Sequence, residues 1–183
     1  MTSWICAGKS LGEIASRQAF VRRSGVEALL RQTEAYHHLW VRSGRTDTGG
    51  LPAPVADLFT RSLLIIRSHV DNHGGIIASC DSDILRLSHD TYNYVWPRHG
   101  AFAARVLDAA GYHDITRKFY SFCRDSLTGE GFLMQKYNPD GSWGSTSHSS
   151  VGVRGEEQLP IQEDETALVL FTLWQHYAHA GGY

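Results

Sequence analysis

The sequence is short of the features that mark several large protein classes. Cysteine is scarce: Cys6, Cys80 and Cys123 are odd in number, widely spaced and form no CxxC pair. That excludes a disulfide framework and reads as three free thiols in a reducing compartment. There is no basic block, and the formal net charge is −2. This argues against non-specific nucleic-acid binding and against docking on an anionic membrane surface. No apolar run approaches the roughly 18 residues of a membrane span. The N-terminus has no charged segment followed by a long apolar one, so no signal peptide is expected and the expected location is cytoplasmic. Also missing are a phosphate-cradling Gly-rich loop, a Gly-x-Ser-x-Gly elbow and a Cys/His pair with a supporting motif. Asp81-Ser82-Asp83 begins like a calcium loop but lacks its Gly and terminal Glu. His176 and His179 stand at i, i+3, a spacing open to a metal, but no third ligand is evident. No metal and no cofactor are expected.

What is present is a globular composition: 183 residues, 42% hydrophobic and 20% charged, with five Trp and eight Tyr. Helical spacing runs from Ser10 to Arg23 and, more clearly, from Gly25 to Ser43 with Val26, Leu29, Tyr36 and Trp40 on one face. Val55–Val70 is apolar nearly all round and is expected to be buried on several sides. Phe102, Val106 and Ala109, with Ala103, Leu107 and Ala110, give the next helix a core face, and Gly111 suits its C′ position. Ile115, Phe119, Phe122 and Cys123 mark a second helix close behind, making an αα-hairpin. Residues 127–159 are long, glycine-rich and loop-like, with a β-turn at Asn138-Pro139-Asp140-Gly141. The last helix is expected from Pro160 or just after, with Ala167, Leu168, Phe171, Trp174, Tyr177 and Ala178 facing the core. Trp4–Gly8 reads as one short strand with no partner nearby. The expected class is all-α.

Two constellations could carry chemistry. In Thr91–Gly100, β-branched and aromatic residues give extended chain up to Trp96, and Pro97 ends it before a strong helix former. Trp96, Arg98 and His99 therefore gather where extended chain becomes helix. An indole face with a forked donor suits a sugar ring: C–H faces stack and hydroxyls take hydrogen bonds. The plainer alternative is a buried Trp beside a salt-bridged Arg. The second constellation is the acidic run Glu156–Thr166. Carboxylates there could serve as acid and base or hold sugar hydroxyls. Equally, the macrodipole favours acids in a first turn.

Five segments in order resemble glycoside hydrolase family 15, the glucoamylase-like enzymes, in their bacterial branch. They are Arg61–Arg67, Ile76–Ser79 with Asp81–Ile84, Tyr94–Arg98 with Gly100–Ala104, Lys136–Gly141, and Gln158–Leu170. The resemblance implies an (α/α)6 toroid of six inner and six outer helices and inverting hydrolysis of α-glucosidic bonds from the non-reducing end. It also implies a preceding β-sandwich domain, of which Trp4–Gly8 would be the last strand. Residues 1–24 are then the tail of that domain and a linker, and 25–183 the N-terminal part of the toroid. Trp96 and Arg98 match the segment that frames and binds the terminal sugar; Gln162 and Asp164 match the second pocket segment; Trp143 matches an aromatic on the preceding loop. His99 stands where the family has Asp, which replaces a charge-assisted clamp with a single acceptor, a loss of about 1.5–3 kcal/mol. The family's general acid and base glutamates have no match here, so no catalytic residue is assigned. The expected reading is a glucoamylase-like hydrolase chain without its acid and base. Its partner is an α-glucan or α-glucoside, with no nucleic acid and no membrane. The alternative is a non-catalytic all-α carbohydrate-binding or regulatory module.

Overall fold

The structure, a computed structural model, describes residues 2–45, 47–80, 91–144 and 160–180. Asp81–Ile84, Glu156, Glu157, Gln158 and Leu159 lie outside the described residues. The chain is all-α. Among the described residues there are six helices and no strand, and no helix is long and apolar enough to cross a membrane. Trp4–Gly8 is not the expected strand: with nothing to pair with, it runs as irregular chain with Ile5 exposed.

Two compact units divide the chain at Ser43. The first holds α1 (Leu11–Ser24) and α2 (Val26–Ser43). Ser10 caps α1, its hydroxyl accepting the Glu13 N–H at 3.2 Å. Gly25 ends it in a left-handed conformation, φ 76°, its N–H bonded to the Val21 carbonyl. No side chain of either helix is buried.

The second unit begins at Gly44 and holds α3 (Ala53–Ser68), α4 (Pro97–Ala109), α5 (His113–Ser126) and α6 (Glu163–Ala180). Pro97 opens α4 as the sequence indicates. At its other end, Gly111 N–H bonds to the Asp108 carbonyl and Tyr112 N–H to the Leu107 carbonyl, both at 2.9 Å, with Gly111 at φ 86°. That is a Schellman closure, and it makes the turn into α5. The segments between helices are stitched by single-residue bridges. Ile77 pairs with Val95, Val95 with Tyr137, and Tyr137 with Trp143. Val95 and Tyr137 exchange both backbone hydrogen bonds at 2.8 Å and are fully buried.

The core departs from the apolar pattern at three places. α3 buries only Leu63, while Leu58 and Ile65 stand exposed. In α4 the large residues Phe102 and Val106 face outward, and Gly100, Ala101, Ala104 and Leu107 are buried. Small residues let α5 and α6 approach closely. In α6 the expected face is inverted: Phe171 and Trp174 are 50% and 66% exposed, and the buried stripe is Glu165, Val169, Thr172 and His176. Those four recur at helical spacing, but three are polar, so apolar periodicity does not see them.

The close approach at Gly100 is testable. A methyl group there would lie 2.7 Å from Phe119 Cζ and closer still to Cε2. Phe119 is fully buried and has nowhere to move. Gly100→Ala is therefore expected to destabilise the unit by about 1–3 kcal/mol, despite the better helix propensity of alanine, as read from urea unfolding curves.

Candidate functional site

α4 and α6 pack more extensively than any other pair of helices in the described residues. They run parallel: Arg98, at the start of α4, meets the start of α6, and Asp108, at its end, meets His176. Both N-termini therefore open on the same side, and the first turn of α4 hands the Arg98 N–H to Glu165 in the first turn of α6.

Arg98 is the centre of this end. One guanidinium nitrogen is 2.6 Å from Asp164 Oδ2, and the other is 3.6 Å from Glu165 Oε1. The Arg98 backbone N–H donates to Glu165 Oε2. Glu165 is 0% exposed, and its burial pushes the carboxyl up to about 7, against the pull of Arg98. Asp164 is half exposed and gives the pair an open edge. His99 sits edge-on to Trp96, ring centroids 5.8 Å apart. Loss of solvation, helped by the Arg98 charge and opposed by Asp164, holds the His99 imidazole below its usual range and so favours the neutral ring.

Trp96 is buried, stacked on Tyr92 with centroids 6.2 Å apart. Lys136 Nζ lies 4.6 Å from the Tyr94 ring centroid and 5.2 Å from that of Trp96, a cation over two aromatic faces. Trp96 Nε1 and Gln162 Oε1 are buried and have no hydrogen-bond partner among the described residues. Two anchors fix the chain around them: Gln135 N–H bonds to the Pro160 carbonyl at 2.8 Å, and Leu133 N–H to Thr166 Oγ1 at 2.9 Å.

Of the six residues picked from the sequence, Trp96, Arg98, His99 and Asp164 come together. Gln162 stands immediately before α6, its carbonyl accepting the Glu165 N–H at 3.1 Å. Trp143 is 62% exposed; the next residue, Gly144, lies against Tyr94 and Lys136. Two residues escaped the sequence reading. Lys136 sat unremarked inside a turn-bearing segment. Glu165 was one acid among several, and nothing in the sequence separates it from Glu163; only the helix register turns it inward.

No family model matches the chain, and no solved structure matches it. The chain is similar to a protein of Methanocaldococcus jannaschii described as an uncharacterized glycosyl hydrolase, at 30% identity over 122 residues. The match takes in 66% of this chain and 17% of the relative, so the chain spans under a fifth of that protein's length.

Proposed function

We propose that the chain carries the sugar-gripping part of a glycoside hydrolase, of the glucoamylase-like kind, and that it holds the non-reducing end of an α-glucoside. The observation that carries this reading is the Arg98–Asp164 pair where two helix N-termini meet, with a donor (Trp96 Nε1) and an acceptor (Gln162 Oε1) that no group among the described residues satisfies. Buried polar groups without partners are rare, and hydroxyls reaching them would satisfy both. Asp164 and Arg98 give such a ligand a charged edge with acceptor and donor side by side. Similarity to a glycosyl hydrolase supports the same class of ligand.

Chemistry at the bond asks for more than this site offers. Inverting hydrolysis needs two carboxyls roughly 6.5–9.5 Å apart, one acid and one base. A carboxyl near 7 has the value of a general acid, but Glu165 is fully buried with its oxygens turned to Arg98. Asp164 is already ion-paired. Both are positioning groups, and binding without turnover is the expected behaviour of this chain alone. A non-catalytic carbohydrate-binding module is the second reading, favoured by His99 where the resembling family has Asp.

Titration with acarbose or maltose, followed by Trp fluorescence, tests the proposal, with p-nitrophenyl α-glucoside turnover run alongside. Saturable quenching or enhancement is expected, because Trp96 is the one buried Trp among the described residues. Trp96→Ala should weaken binding at least tenfold. Equal affinity in that variant would leave Trp96 and Arg98 as core packing only. Turnover by the chain would overturn the assignment of Asp164 and Glu165 to positioning.

A further inference from the structure

The opposite end of the α4–α6 pair holds a second constellation. Asp108 is in the last turn of α4, His113 opens α5 and His176 lies near the end of α6. His176 Nδ1 is 2.8 and 2.9 Å from the two Asp108 oxygens, and His113 Nδ1 is 3.1 Å from Oδ1. Thr116 Oγ1 donates to the same Oδ1 at 2.5 Å. One donor atom from each of Asp108, His113 and His176 falls within 4.8 Å of the others. The three border a cavity of about 300 Å³ that is also lined by Gln175 and His179, with Arg45 and Arg105 exposed around it.

We propose that Asp108, His113 and His176 bind a divalent ion of the zinc type. Three observations carry this. First, two imidazoles and one carboxylate are a donor set that such ions take, and the set leaves a position open to the cavity. Secondly, Asp108 is only 9% exposed at the C-terminal end of its helix. There Thr116 and the two imidazoles hold it, with Arg45 and Arg105 lining the same cavity, so a nearly buried carboxylate is fixed in place facing both ring nitrogens. Thirdly, Gln175 lines the same cavity, and its buried Oε1 has no hydrogen-bond partner among the described residues.

The carboxylate–imidazole distances need little change, and the two imidazole donors start within 4.8 Å of each other. Metal bonds of about 2.0–2.1 Å at tetrahedral angles set neighbouring donors about 3.3 Å apart. The present separations of 2.8–3.1 Å are those of hydrogen bonds sharing the Nδ1 protons. An ion entering takes the place of those protons, and each imidazole carries its proton on Nε2 instead. Such an ion would clasp the ends of α4, α5 and α6 together. The site is remote from Arg98, so it stands or falls independently of the sugar proposal.

The test uses the untagged chain, stripped with a chelator, desalted and titrated with Co2+, with Zn2+ as competitor. One equivalent of Co2+ should give visible d–d absorption that Zn2+ displaces, and Zn2+ at a hundredfold excess over its Kd should raise Tm by about 5–10 °C. His113→Gln and Asp108→Asn should each weaken Co2+ binding at least tenfold. His113 is the more exposed of the two, so its variant is the one expected to keep a native far-UV spectrum. His38→Gln, at an exposed histidine of α2, should change nothing. Absence of a saturable Co2+ spectrum, or its persistence in folded His113→Gln, would overturn the site and leave a hydrogen-bonded clasp.

Discussion

Glu165→Ala is expected to lower the stability of the larger unit by about 1–3 kcal/mol, the usual cost of leaving a buried donor without its acceptor. Glu165 accepts the Arg98 backbone N–H and faces its guanidinium from a fully buried position. Deleting it leaves that N–H without its acceptor and a part-buried cation with only the exposed Asp164. Glu165→Gln separates charge from shape. In the folded state the carboxyl is raised from 4.5 to about 7, so between those values the native chain holds a proton that the unfolded chain has released. The stability this group contributes is therefore fully present below 4.5 and is lost as pH rises through about 7. The loss amounts to about 3 kcal/mol. Glu165→Gln has no such titration. Its unfolding free energy, set against that of the native chain, should gain by about that amount between about pH 5 and pH 8. Urea unfolding at several pH values measures this; parallel pH dependence in the two proteins would rule the buried titration out.

His99→Asp is expected to tighten acarbose binding tenfold to a hundredfold, on the reading that a sugar is held beside Arg98. A neutral imidazole offers one acceptor, whereas a carboxylate offers several and stronger ones. The difference, about 1.5–3 kcal/mol, corresponds to that range of affinity. The new charge gains the Arg98 guanidinium as neighbour, and this outweighs the partial loss of solvation and the Asp164 charge that the imidazole already feels there. The same fluorescence titration reads the change. Unaltered or weaker binding would mean that residue 99 does not face the ligand.

Local signals in the sequence were well placed. Ser10, Pro97 and Gly111 mark helix ends through backbone chemistry that needs no partner, and the structure keeps all three. The αα-hairpin and the Asn138–Gly141 turn, closed by Gly141 N–H to the Asn138 carbonyl at 2.9 Å, are legible for the same reason. Burial was less so. Which face of α6 turns inward is decided by Arg98 and Asp108, 66 to 68 positions away in the chain, through Asp164, Glu165 and His176. Hydropathy ranks Phe171 and Trp174 above those residues and so selects the wrong face. Trp96, Arg98 and His99 were legible at the junction of extended chain and helix, whereas Gln162, Asp164 and Trp143 came from a motif resemblance rather than from periodicity. Asp108 and His113 escaped because their partner lies on a helix that only folding brings alongside.

The paired backbone bonds between Val95 and Tyr137 have a kinetic side. They close the chain into a ring that contains the whole of α4 and α5, and the Trp96–Arg98 segment is its first stretch. Opening the ring releases the Trp96 end of the segment, while Arg98 and Asp108 still tie the hairpin to α6. The Val95–Tyr137 pair thus joins the start of the hairpin to the loop that follows it. Because that closure spans two whole helices, it forms only after the hairpin has turned back on itself.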